Sequence, residues 1–284
     1  MSEVTPSAGA SRSTWRVVTL NIWNKDGPWP ERLPLIRAQL AALEPDIIGM
    51  QEVLGFPGLP NQAEEIAEGL GWNVHYVPAW HVGGGLTFGN AILSPHRLLD
   101  AQALTLPTPA ELDPRTVAFA RVELPHGPAP VFCTHLTYQY DRGSVRCQQV
   151  RALADHVAAL APVDGPPPVL LADLNADPDA DEVRFLRGLT SLGGASVHFS
   201  DCWTAAGRTE PGYTYDRRNP YALRSHEWSR RIDYVFVRGP DQSLRGEPLS
   251  ARLALDAPTE GVWPSDHFAV FAEIWAAPRG HDAL

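Results

Sequence analysis

Apolar positions change period twice within the first fifty residues. Trp15, Val17, Val18, Leu20 and Ile22 form a dense run, so residues 15–23 are predicted to be a largely buried strand. Pro30 and Glu31 then open a stretch in which Leu33, Ile36, Leu40 and Leu43 recur at helical spacing, which predicts a helix over 30–44. The run Asp46-Ile47-Ile48-Gly49-Met50-Gln51-Glu52 predicts a short buried strand, completing a β-α-β unit.

A second helix is expected over 61–70, ending at Gly71. Strand-like runs follow at 72–77, 86–93, 98–105, 115–124 and 130–137 with no helix between them, which implies antiparallel pairing. Val150, Leu153, Val157 and Leu160 share one face of a helix predicted over 144–160. The Pro-rich turn 165–168 leads into a strand over 169–173, followed by a helix near 180–190. Residues 193–230, rich in Gly, Arg and aromatics, read as a long irregular functional loop, and strands at 231–238, 250–255 and 267–275 close the chain. With no internal repeat, linker or composition shift, 15–276 is expected to be one domain, between a disordered leader (1–14) and a flexible tail (277–284). The fold class expected is α/β: a four-layered α/β/β/α sandwich, two mixed sheets face to face with helices outside.

Composition narrows the function classes. Hydrophobic residues at 44% and charged residues at 20% describe a globular chain, with no apolar run of membrane-spanning length and no signal-peptide pattern at residues 1–14. Cys133, Cys147 and Cys202 have neither metal-site nor disulfide-framework spacing, so a reducing cytoplasm and buried structural thiols are expected. The net charge of −10 and a single lysine, Lys25, disfavour a tight nucleic-acid binder, although a local basic patch or bound metal can reverse the field at a site. A monomer is expected.

Candidate chemistry lies in the polar residues that interrupt or end the strands. Asn21 and Glu52 fall at the C-terminal ends of the first two, where parallel pairing would bring them together as hard oxygen donors of the kind Mg²⁺ prefers. His135 interrupts a later strand, Asp173 and Asn175 end the next, Asp233 begins another, and Asp266-His267 precedes the last. Singly, each has an ordinary reading. A strand-end Asp is usually a cap, a lone strand His a hydrogen-bonded core residue, Gln51-Glu52 a solvated terminus, and Asp177-Pro178 a turn before a helix. Together they form a set of carboxylates, amides and imidazoles at strand ends. There is no Ser or Cys nucleophile signature and no zinc spacing; Gly83-Gly84-Gly85 lacks the Lys-Ser/Thr of a P-loop and reads as a mobile loop. Such an inventory suits metal-assisted attack of water on phosphorus.

The segments TLNIWN, IIGMQEV, GNAILS, THL, LADLNADP, RIDYVFV and SDH, in that order, resemble the endonuclease/exonuclease/phosphatase (DNase I-like) superfamily from about Trp15 to Trp275. The resemblance implies Mg²⁺, with Mn²⁺ as a substitute, held centrally by Glu52 with Asn21 beside it and Asp266 close by. It implies that Asp173 orients or deprotonates water, that Asn175 holds a non-bridging phosphate oxygen, and that Asp233 fixes the tautomer of His267. His267 and His135 would stabilise charge on the phosphate. Arg115 occupies a phosphate-contact position, and Asn90 a positioning one on the substrate side. Ala172 stands where many relatives carry Gly, a change that needs only a small side chain.

The expected activity is therefore that of a metal-dependent phosphoric ester hydrolase, a phosphodiesterase or phosphatase acting on a small or lipid-like ester. Trp23, Trp29, Trp80, Trp203, Tyr213 and Tyr215 either hold an apolar or ring-bearing leaving group or simply pack. The alternative is a DNA or RNA nuclease, for which Arg217, Arg218, Arg224, Arg230 and Arg231 would supply a positive wall; those arginines can equally pair with nearby acids. A non-catalytic binding protein would ordinarily have lost one of the polar groups named. Substrate choice is assigned to the loops 78–86, 107–115, 138–143 and 193–230.

Overall fold

The computed structural model describes residues 13–278. The expectations for residues 1–12 of the leader and 279–284 of the tail lie outside the described residues. In its first half the chain forms β1 (Thr14–Asn21), α1 (Trp29–Ala42), β2 (Ile47–Gly55), α2 (Gln62–Ala67), β3 (Asn73–Gly83), β4 (Leu86–Ser94), β5 (Leu98–Leu106), β6 (Arg115–Leu124) and β7 (Gly127–His135). It continues through α3 (Gly143–Leu160), β8 (Val169–Asp173), α4 (Asp181–Leu186), β9 (Ser200–Asp201), α5 (Cys202–Ala205), β10 (Asp233–Val237), β11 (Pro248–Ala254) and β12 (Ala269–Trp275).

Two six-stranded sheets result, ordered β11-β12-β1-β2-β4-β3 and β5-β6-β7-β8-β10-β9. Each holds one parallel pair, β1 with β2 and β7 with β8, and α1 and α3 are the respective crossover helices. The strands expected to pair antiparallel do so, β3 with β4, β5 with β6 and β6 with β7. The central strands are covered on both faces, which explains why their sequences are continuous apolar runs rather than alternating ones. Val17, Val131, Cys133 and Leu171 fill the space between the sheets. Val18, Leu20 and Met50 face Ile36 and Leu40 of α1, whereas Phe132 and Leu170 face Val150 and Leu153 of α3. That is the four-layered sandwich. No helix among the described residues is long and apolar enough to cross a membrane.

Several boundaries differ from expectation for local reasons. β1 begins at Thr14, and the Ser13 carbonyl accepts from the amide of Ala276, so the ordered domain starts before residue 15. α2 opens with a capping box, Asn61 and Glu64 exchanging side chain-to-backbone bonds, and is shorter than expected. Gly83, Gly84 and Gly85 all have positive φ and form the β3–β4 hairpin tip. Residues 193–230 are largely irregular but contain β9, α5 and a 3₁₀ turn over Ala222–Ser225. Cys133 and Cys202 are buried; Cys147, expected to be so, is only partly buried. The buried stripe of α1 is Trp29, Arg32, Ile36 and Leu40, placing a fully buried arginine where periodicity pointed to Leu33.

The sheets approach closely beside Gly49 of β2, where an added Cβ would lie 2.6 Å from Leu171 Cβ and 3.1 Å from Cys133 Sγ. Gly49→Ala should therefore destabilise the fold by about 1–3 kcal/mol through overpacking. A urea midpoint unchanged from the parent would show that the sheets can separate without loss.

Candidate active site

Register brings the polar strand ends together. In the first sheet Asn21 pairs with Gln51, so Glu52 lies one residue beyond the end of β1. In the second, His135 and Asp173 are partners across the parallel pair, and Asp233 is the antiparallel partner of Asp173. Asp266 and His267 arrive on the segment preceding β12. Glu52, Arg115, His135, Asp173, Asn175, Asp266 and His267 all line one cleft of about 500 Å³.

Glu52 was expected to end its strand. β2 instead continues to Gly55, with a break in register against β4 between Met50 and Val53 and Glu52 at φ 59°. A bulge in the left-handed region re-aims one side chain without ending the strand. Gln51, at the same break, is no solvated terminus, since its amide is buried against Thr19 and Cys133. Asn175 (φ 50°), Trp23 (φ 55°) and Asn24 (φ 35°) share the left-handed conformation, so part of the chain's backbone strain lies at or beside the cleft.

Asn21 stands beside Glu52. Its Nδ2 donates to Glu52 Oε1 (3.1 Å) and Asp173 Oδ2 (3.0 Å), and its Oδ1 accepts from the Trp23 amide (2.9 Å). With that oxygen engaged, Asn21 spaces two carboxylates. Asn24, which the sequence reading missed, lines the cleft and donates to Glu52 Oε2 at 3.2 Å.

His267 and His135 are held in opposite states. His267 Nδ1 lies 2.8 Å from Asp233 Oδ2, as the resemblance implied. Burial alone would lower its pKa, but Asp233, Asp266 and Asp173 hold it well above the usual imidazole value, so His267 is cationic at neutral pH. Burial, then Arg115 and His267, push His135 well below that value, leaving it neutral. The Nε2 of His135 is braced by Asn175 Nδ2 at 2.9 Å. The carboxyls of Asp173 and Asp266 are each pushed up to about 7, mainly by burial; Asp233 adds to the shift of the former and Glu52 to that of the latter.

Arg115 is buried, lines the cleft and has no hydrogen-bond partner at Nε; burial lowers its pKa. Asn90 does not line the cleft. It is buried beneath, donating to the Thr116 carbonyl at 3.0 Å, and so ties β4 of one sheet to β6 of the other beside Arg115. Three of the five arginines named for a positive wall pair with acids. Arg231 grips Asp201 through two bonds (3.1 and 2.9 Å), Arg230 binds Asp177 (2.9 Å), and Arg218 reaches Asp256 (3.2 Å). Asp177 is thus more than a turn residue. Of the six aromatics considered, Trp80 and Tyr215 line the cleft, and Phe88 and Tyr138 join them unforeseen. Asp26, Asp113 and Glu227 were also missed; they lie in a turn and in irregular segments, where an acidic residue carries no signal of direction.

Asp173, Asp233 and His267 place ligand atoms within 4.8 Å of one another. The Nδ1 of His267 is already committed to Asp233, so a cation fits better on the other side, at Glu52 and Asp266. Glu52 makes ionisation of the buried Asp266 costlier, and the two offer only oxygen donors, the set a hard divalent cation prefers.

Fold and site together define the class: a two-sheet sandwich with its polar groups gathered at one edge. The chain belongs to the Endonuclease/Exonuclease/phosphatase family, whose model matches residues 18–267. It is 32% identical over 171 residues to "Protein angel" of Drosophila melanogaster, a match covering 56% of this chain and 47% of that one, so it spans about half of that relative's length. Among solved structures, truncated TDP2 of Caenorhabditis elegans superposes with a TM-score of 0.73 at 21% identity, covering 93% of this chain and 98% of the other. The human Nocturnin catalytic domain gives 0.70 at 19%, covering 93% and 94%. D. rerio TDP2 complexed with a single-strand DNA product gives 0.72 at 19%, covering 93% and 99%. At these identities the structural likeness establishes the fold.

Because Asp173 and Asp266 hold protons more tightly folded than unfolded, their contribution to metal-free stability is full below the ordinary carboxylate value and is lost as pH rises through about 7. A divalent cation binds the deprotonated forms, so the Tm increment from Mg²⁺ should be larger at about pH 8 than at about pH 5.5. Equal increments in thermal melts at the two pH values would show that these carboxylates do not take the cation.

Proposed function

We propose that this protein is a Mg²⁺-dependent hydrolase of phosphate esters, acting on a small or lipid-like substrate by in-line attack of water. The observation that carries the reading is one cleft that opposes a cationic His267, anchored on Asp233, to two carboxylates with pKa values raised to about 7. Glu52 and Asp266 would hold the metal, with Asn21 beside them. When bound, it would supply Lewis acidity and neutralise charge on a phosphate oxygen.

The remaining groups divide the work. Asp173, titrating near neutrality, can orient water and take its proton at physiological pH. With Nδ1 of His267 engaged by Asp233, its Nε2–H is left to donate to a phosphate oxygen as negative charge develops there. His135 is neutral and contributes a hydrogen bond rather than charge, which refines the expectation that both histidines act alike. Arg115 supplies a second fixed cation at the cleft, its Nε lacking any protein partner.

Substrate size follows from charge. The cleft also carries Asp26, Asp113 and Glu227, and Arg218, Arg230 and Arg231 are spent on internal acids, so a long polyanion finds little to hold it. A nuclease is the second reading, suggested by the DNA product bound to D. rerio TDP2.

Glu52→Ala and His267→Ala should each lower kcat by about 100-fold or more on any phosphate ester that is turned over, with unchanged far-UV circular dichroism. Near-normal turnover by either variant with added Mg²⁺ would remove the assignment. In a salt titration, kcat/KM on the preferred ester should be nearly flat; a steep fall in log–log form would instead identify a polynucleotide substrate.

A further inference from the structure

The cleft has an aromatic side that the hydrolytic chemistry does not use. Trp80 of β3 and Phe88 of β4 are register partners, with ring centroids 5.4 Å apart, and Phe88 continues to the ring of His135 at 6.4 Å. Tyr138, 54% exposed, follows just beyond His135 and lines the same cleft. A contiguous run of rings therefore leads from the β3–β4 hairpin to the histidine beside Asp173. The hairpin is not regular here, because its register slips between Pro78 and Trp80. Such a bulge turns a side chain away from ordinary pairing, and Trp80 lines the cleft while remaining only partly buried. Large rings left half-exposed beside a reaction centre are a surface that a ligand can cover.

Charge restricts what that ligand is. Asp26, Asp113 and Glu227 line the same cleft, and its fixed cations, Arg115 and His267, stand with the catalytic groups. A substrate bearing several phosphates would meet these three carboxylates in the same cleft. An alkyl chain would meet them too, since the apolar surface is a short strip of rings and the cleft is about 500 Å³. A planar ring, apolar on its faces and polar at its edge, satisfies both surfaces.

We propose that Trp80 and Phe88, with Tyr138, form a stacking subsite for a planar heteroaromatic ring, such as a nucleobase, carried by an ester with a single phosphate at the reaction centre. The proposal rests on the phosphate-ester reading of the cleft and narrows it. Trp80 is the specificity-determining residue of this subsite, and it touches none of the groups assigned to the metal or to proton transfer.

The test is calorimetric binding of three phosphonates to the full chain with Mg²⁺, their carbon–phosphorus bonds being resistant to hydrolysis: methylphosphonate, cyclohexylmethylphosphonate and benzylphosphonate. The benzyl compound should bind more tightly than the cyclohexylmethyl one by roughly 5- to 150-fold, the range that stacking on an aromatic side chain supplies. In Trp80→Ala that ratio should collapse to within about twofold, with methylphosphonate affinity unchanged. Equal affinity of the two cyclic compounds for the native chain would overturn the ring subsite in favour of a generic apolar one. A ratio that survives Trp80→Ala would overturn the residue assignment. If methylphosphonate itself fails to bind, the phosphate-ester reading falls, and the subsite with it; that result is distinct from head-group binding without ring preference.

Discussion

Like charges crowded into a buried space are the constraint on which the rest of this structure depends. Asp173, Asp233 and Asp266 are each less than a tenth exposed, and Glu52 faces the same cleft. Carboxylates so placed either bind protons or need cations, and the protein supplies several. His267 carries one, and Arg115 another. Arg32 is the third and the most deeply buried. It lies over Trp23 and Trp29 and gives its guanidinium hydrogens to the carbonyls of Ile22, Asn24, Asp26 and Pro264. Those carbonyls belong to the two segments that deliver Asn24 and Asp266, so one buried cation joins the loops and offsets the charge they carry. Burial lowers its own pKa to about 10, which leaves it charged throughout the neutral range.

The fold accounts for how such groups come to meet. A parallel pair in each sheet, made by a crossover helix, points two strand ends at the same edge. Packing the sheets face to face brings those edges together, and Asn21 closes the gap by bridging Glu52 of one sheet to Asp173 of the other. The left-handed backbone at Glu52 and Asn175 then makes the final adjustment that strand geometry cannot make alone. Both Glu52 and Asn175 belong to the polar set, so the strain and the chemistry coincide.

How much of this was legible in the sequence follows from the range of each signal. The layered fold and strand order of the β-α-β units could be read because apolar periodicity and turn residues act over a few positions. Glu52, His135, Asp173, Asn175, Asp233, Asp266 and His267 could be picked out because each interrupts an apolar strand. What could not be read depends on distant partners. Whether Asn21 turns its oxygen or its nitrogen to the cleft is decided by the Trp23 amide and two carboxylates on other strands. The fate of Arg231 is decided by Asp201, and that of Arg230 by Asp177, across the sheet. Arg32 broke the rule outright, because an arginine on a buried helix stripe is allowed only where several carbonyls converge on it.

The two histidines show why composition of a site does not fix its chemistry. Both are buried, both line the same cleft, and both stand near Asp173. Burial disfavours the cation in each; neighbours decide between them. His267 has a carboxylate on Nδ1 and two more close by, so the cation wins. His135 has Asp173 Oδ2 at 3.5 Å, but Arg115 and His267 also bear on it and an amide donates to Nε2, so with burial the neutral form wins. One imidazole thus arrives charged and the other uncharged at the same pH, and Asp173 beside them keeps a carboxyl that titrates near neutrality. Were both histidines cationic, their field would pull Asp173 well below that range and weaken it as a proton acceptor. The neutral state of His135 therefore leaves Asp173 without a second imidazolium to lower its raised carboxyl pKa.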